Sequence, residues 1–129
     1  MKKPSKVWKE FCQIINIIDI GIGKQQRKLK KLNKQLESLQ KKISEYWNDV
    51  EKAQNRLKNL GVENERDAIK VFFIRRENIK SLIESLVFDV SIIKQELDQV
   101  EIDIDNTELE KRRLEKRKDI LSELIQQLG

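Results

Sequence analysis

The chain has 129 residues, 38% of them charged, with a formal net charge of +5, no histidine, one cysteine, four glycines and one proline. That composition excludes a transmembrane protein, a disulfide-stapled domain and a glycine-rich nucleotide fold. Abundant Leu, Ile, Lys, Glu and Gln instead point to long helices without a compact globular core, in one domain with no Pro/Gly/Ser-rich linker.

The N-terminal "MKKPSKVWKEFC" is basic, but Glu10 interrupts any signal-peptide core and no small-residue cleavage site follows. The longest apolar stretch, "IINIIDIGI" at 14–22, contains Asn16 and Asp19 and falls short of the ~20 residues that span a bilayer. A cytoplasmic protein without membrane insertion is expected, and the lone Cys12 agrees with a reducing compartment.

From Trp8, alternate steps of three and four residues pass through Phe11, Ile15, Ile18, Ile22, Gln25 and Leu29 and on to Leu57 and Leu60, and fifteen of the sixteen positions are apolar. This narrow stripe of period 3.5 is a coiled-coil a/d seam, predicting a first helix over about 5–60. "LGVENERD" follows, where Gly61 suits a left-handed helix end, Asn64 a helix cap, and Glu65 and Asp67 a first turn. The turn is expected at about 61–64.

A second seam runs from Ile69 and Phe72 to Ile125 and Leu128, with fourteen of eighteen positions apolar, predicting a helix over about 65–128. The fold class is therefore all-α, two long helices forming an antiparallel coiled-coil hairpin. A short turn favours a register in which facing residue numbers sum to 129. Leu60 would meet Ile69, Val50 Ile79, Leu39 Val90, Trp8 Leu121, and Thr107 would lie opposite Ile22. This register sets the six basic groups of 24–34 across from the five acidic groups of 95–105. Residues 1–60 carry a net +9 and 61–129 a net −4, which favours pairing within the chain and hence a monomer. Some 55 residues per arm would make a rod of about 80 Å. A loose dimer through Ile17, Ile20, Val87, Phe88 and Ile92 is the competing arrangement.

Three departures from the pattern are candidate functional features. Gly21 and Gly23 beside Gln25 predict either a bend or soft segment, or glycines tolerated at the surface. The open end gathers Trp8, Phe11, Ile17, Ile20, Lys111, Arg112, Arg113, Lys116, Arg117 and Lys118, a basic and apolar surface suited to an acidic partner; the alternative is lysine stems lying along the seam. At the turn, "VFFI" places Val71, Phe73 and Ile74 off the seam. They form a docking patch or fold back over the loop with Val62.

Catalytic chemistry is not indicated. There is no phosphate-binding glycine loop and no Cys or His spacing for zinc, and a two-helix arrangement offers no concave pocket. No catalytic, cofactor-binding or metal residue is assigned, no cofactor is expected, and the chain is read as a non-enzyme. Nucleic acid is not expected as a partner, because no aromatics interleave with the basic cluster "KRRLEKRK".

With "RRENIKSLIESL" after the turn and "ELEKRRLEKRKDILSELI" near the end, this small basic hairpin resembles the central stalk proteins of type III secretion, the flagellar FliJ and injectisome YscO group, which includes the EscO-like proteins. The resemblance implies a virulence or flagellar protein transport role at the cytoplasmic face of a secretion apparatus. It implies a stalk in the pore of a hexameric type III secretion ATPase, acting on its assembly or activity, with the export gate protein and secretion chaperones as further partners. The open end would meet the ATPase and the tip patch the gate or a chaperone. A generic coiled-coil adaptor or holdase chaperone is the alternative.

Overall fold

The computed structural model describes residues 6–61 and 68–128. Two helices account for nearly all of them, α1 (Lys6–Lys58) and α2 (Ala68–Leu128), and no strand occurs among the described residues. The two helices pack against each other as a helical hairpin, the fold class read from the sequence. The proposed cap Asn64, the first-turn acids Glu65 and Asp67, and Val62 lie outside the described residues.

The core is the seam. Ile18, Leu39, Val50, Ala53, Ile79, Val90 and Val100 are the buried apolar residues and Thr107 the buried polar one, and all eight fall at a or d positions. Thr107 is accommodated because its hydroxyl donates to the Asp103 carbonyl one turn back at 2.6 Å, so its polar atom is satisfied inside its own helix. α1 ends with Arg56 and Lys58 in its last turn, where cations offset the carbonyl end of the helix. The Asn59 amide still donates to Asn55 (3.0 Å), and the Leu60 amide then donates to Leu57 (3.4 Å), tightening the exit by one residue. Gly61 does not adopt the expected left-handed conformation; the tightened turn supplies the exit instead.

Contacts gather in two units, Met1–Gln35 with Val100–Gly129, and Leu36–Gln99. In the first, Asp19 bonds Lys118 at 2.6 Å, and a Cβ on Gly21 would lie 3.2 Å from Leu114. Those pairs sum to 137 and 135. In the second, Asn55, Arg56 and Asn59 share one groove with Arg75, Asn78, Ile79 and Leu82, again pairs near 136. The register expected from the turn, a sum of 129, is therefore displaced by about one heptad. A seven-residue slip returns every a and d position to the seam, so the apolar pattern cannot distinguish the two. Charge did not decide it either, since each exposed pair contributes only ~0.3–0.5 kcal/mol.

The displaced register explains Ile69. It was expected to pack on Leu60, yet it is 74% exposed; no residue of α1 stands across from it because α1 ends at Lys58. At the glycines, α1 runs unbroken through Gly21 and Gly23, both half-buried. A Cβ on Gly21 would crowd the Leu114 side chain at 3.2 Å, so the missing side chain makes room for α2 at that level.

Candidate docking surfaces

The first unit contains all ten residues expected to form the basic, apolar open end, but the structure divides them. Trp8 and Phe11 are half-buried seam residues. Lys111 and Lys118 occupy seam positions with half-buried stems, and their ammonium groups are used inside the chain. Lys111 pairs with Glu115 at 3.6 Å and Lys118 with Asp19 at 2.6 Å. The hydrogen bond that Lys118 donates to Asp19, and the charge of that carboxylate, raise the Lys118 pKa above its ordinary 10.5 against the opposing effect of burial. Arg113 is likewise held by Glu110 at 2.8 Å. Arg112, Lys116 and Arg117 remain exposed without an ion-pair partner among the described residues.

Ile17 (69% exposed) and Ile20 (62%) occupy the c and f positions of α1. Arg112, Lys116 and Arg117 occupy b, f and g of α2. Since c and f lie diametrically across a helix from a and d, Ile17 and Ile20 point away from Lys116, with Arg112 on the outer flank of α2 beside it, whereas Arg117 at g flanks the seam. They do not form one patch.

In the second unit, Val71, Phe73 and Ile74 are all exposed, as expected of a tip patch, and Ile69 joins them. Phe72 is half-buried. Beside them the groove between the end of α1 and α2 is open and lined mainly by Lys52, Asn55, Arg56, Asn59, Arg75 and Asn78.

One surface escaped the sequence reading. Along α2, the c and f positions Val71, Ile74, Asn78, Ser81, Ser85, Phe88, Ile92, Gln95 and Gln99 are all exposed and none is charged. In a chain with 38% charged residues, about three of nine would be expected to carry charge. The row continues in sequence through Ile102, Asn106 and Leu109. Val71 and Ile74 of this row belong to the expected tip patch, and Phe88 and Ile92 to the loose dimer contact; the residues between them carry no expectation from the sequence. The same alternating step that finds the seam, started two positions later and scored for absent charge, finds the whole row.

No described helix is long and apolar enough to cross a membrane, and among the described residues no group of three or more His, Cys, Asp or Glu side chains could hold a metal ion. No family model, no curated protein and no solved structure matches the chain.

Proposed function

We propose that this chain acts as the central stalk of a type III secretion ATPase complex at the cytoplasmic face of the apparatus. The observation that carries the reading is the division of the first unit. Exposed Ile17 and Ile20 lie on the outward face of α1, and unpaired Lys116 and Arg112 on the outer side of α2. A partner docking from one side covers only one of these faces, whereas a ring that encircles the helix pair covers both. The resemblance to the FliJ and YscO group supplies the identity of the ring.

A single asymmetric hairpin in a sixfold pore cannot touch six subunits alike. It biases whichever subunit state it binds better, and its leverage on the hydrolysis cycle equals that difference in affinity. The stalk stimulates hydrolysis or hexamer assembly and turns over nothing itself. The tip, now including Ile69, is left to the export gate or a chaperone.

The test is reconstitution with the cognate ATPase, reading oligomer size and ATP hydrolysis. Binding at one chain per hexamer with stimulation supports the stalk, and no change in either quantity overturns it. Replacing Val71, Phe73 and Ile74 by serine should leave ATPase binding intact and impair secretion; normal secretion would remove the tip assignment. The same exposed tip also suits an adaptor or holdase, which would assemble several hairpins around a client in place of one per ring.

A further inference from the structure

The uncharged row on α2 needs a cover that the hairpin does not provide. Phe88 is 64% exposed, with Ile92 one turn away on the same face and Ile74 and Val71 nearer the turn. Asn, Ser and Gln fill the positions between. Such a row, apolar at intervals and nowhere charged, is the surface on which another helix can lie without burying an unpaired charge.

The flanks say which helix. Rows b and g border the face, and between 71 and 99 they hold Glu77, Glu84, Asp89, Glu96 and Asp98 against one basic residue, Arg75 at the end nearest the turn. Glu77 leans to Lys80 at 4.0 Å; Glu84, Asp89, Glu96 and Asp98 have no ion-pair partner among the described residues. Lys80 and Lys94 sit at e positions, one row closer to α1, and Arg76 lies in the seam row. Two copies of α2 joined through this face would set acid against acid along both edges. In the outward row of α1 only Ile17 and Ile20 are apolar and Lys24, Arg27, Lys31 and Lys34 follow them in succession, so laying that row from another copy along this face would press cations onto uncharged side chains.

We propose that the outward face of α2 within residues 71–99 is a docking site for an amphipathic helix of a different protein, one with an apolar stripe flanked on both sides by Lys or Arg. The site shares Val71 and Ile74 with the tip patch, but its anchors Phe88 and Ile92 lie outside that patch and it does not depend on the stalk reading. It adds a third helix to the hairpin, with Phe88 and Ile92 as anchors and the acidic rows as the selecting elements.

The probe is a pair of fluorescent synthetic helices of about 28 residues, four heptads, sharing one Ile/Leu stripe, with Lys on both flanks of one and Glu on both flanks of the other. Each is titrated with the full chain and followed by anisotropy. The Lys-flanked helix should bind, and the Glu-flanked one should bind about tenfold more weakly or worse, the cost of four or five mismatched pairs. Phe88→Ser with Ile92→Ser should abolish binding without lowering the melting temperature. Glu84→Lys with Asp98→Lys should shift preference toward the Glu-flanked helix. The proposal fails if both helices bind equally, if the Lys-flanked helix does not bind, or if the serine variant still binds it. It also fails if the chain alone sediments as a dimer that the serine variant dissociates, because the face then belongs to a second copy.

Discussion

α1 and α2 contribute seams of the same period, yet their outward faces have little in common. Among the c and f positions of α1 from Glu10 to Asn55, eight of fourteen are charged, including Lys24, Arg27, Lys31 and Lys34 in succession. The corresponding row of α2 from Val71 to Gln99 has no charge in nine positions. Exposed large apolar side chains follow the same division, with Val7, Ile17, Ile20 and Trp47 on α1 and a much longer series on α2 that includes Phe73, Ile74, Phe88, Ile102 and Leu109. The seam is what the two helices need from each other. The outward face of α1 is dominated by charge, and that of α2 between 71 and 99 carries none.

The comparison breaks most visibly in stability. Leu39 is buried in the seam, and Leu39→Ala should cost about 2–5 kcal/mol of unfolding free energy. Phe88→Ser, on the outward face, should stay within about 0.5 kcal/mol despite the loss of a larger side chain. Urea unfolding followed by circular dichroism reads both. A comparable loss at Phe88 would mean that the face is already covered in the isolated protein.

The two glycines of α1 sharpen the contrast between inward and outward positions at higher resolution. A Cβ at Gly23 meets only the flexible end of Arg27 at 3.4 Å, while one at Gly21 meets Leu114 at 3.2 Å. Gly23→Ala should stabilise the hairpin by about 0.5–1 kcal/mol through helix propensity. Gly21→Ala should gain much less or nothing, since Leu114 must move. Equal gains would show that Gly21 does not face α2. Gly61 has open space where a Cβ would stand and no left-handed backbone, so Gly61→Ala should be neutral or stabilise by up to about 0.5 kcal/mol, acting on the unfolded chain. A clear loss in thermal melts would restore the left-handed helix end.

The smallest effect is the pH response of the bond between Asp19 and Lys118. A lysine whose pKa is raised in the folded state contributes stability that is fully present below its ordinary value, 10.5, and lost as pH rises through the raised one. The melting temperatures of the wild type and Lys118→Gln should therefore differ by a constant amount between pH 7 and pH 9 and converge only at strongly alkaline pH. Asp19→Asn should bring the Lys118 titration, followed by NMR at Cε, back toward 10.5. An unmoved titration would place the cause elsewhere.

The helices and the seam were legible because a 3.5-residue period sustained over sixteen and eighteen positions leaves no competing secondary structure. Register was not, because Leu60 facing Ile69 and Leu57 facing Ile79 satisfy the seam equally. The choice rests on how far α1 and α2 each extend toward the turn. Ile69 shows the consequence: it was read as core from its spacing and is surface because its partner helix has ended. At the open end, composition brought Ile17, Ile20, Arg112 and Lys116 into one surface, and only the opposition of the two outward faces separates them. The α2 row was missed for another reason. Ser81, Ser85, Asn78 and Gln95 attract no attention as apolar residues, and the signal is the charge that is missing between Phe88 and its neighbours.

Which residues the hairpin leaves uncovered at the turn follows from the register, so the register is the claim to test first. In a Cys12→Ser background, Ile22→Cys with Leu114→Cys and Ile22→Cys with Thr107→Cys are oxidised under identical conditions, and intramolecular disulfides are counted by mass spectrometry. The account predicts a disulfide between positions 22 and 114 and none between 22 and 107. The reverse result would restore the register in which Leu60 packs on Ile69 and would cover the residue that now heads the tip.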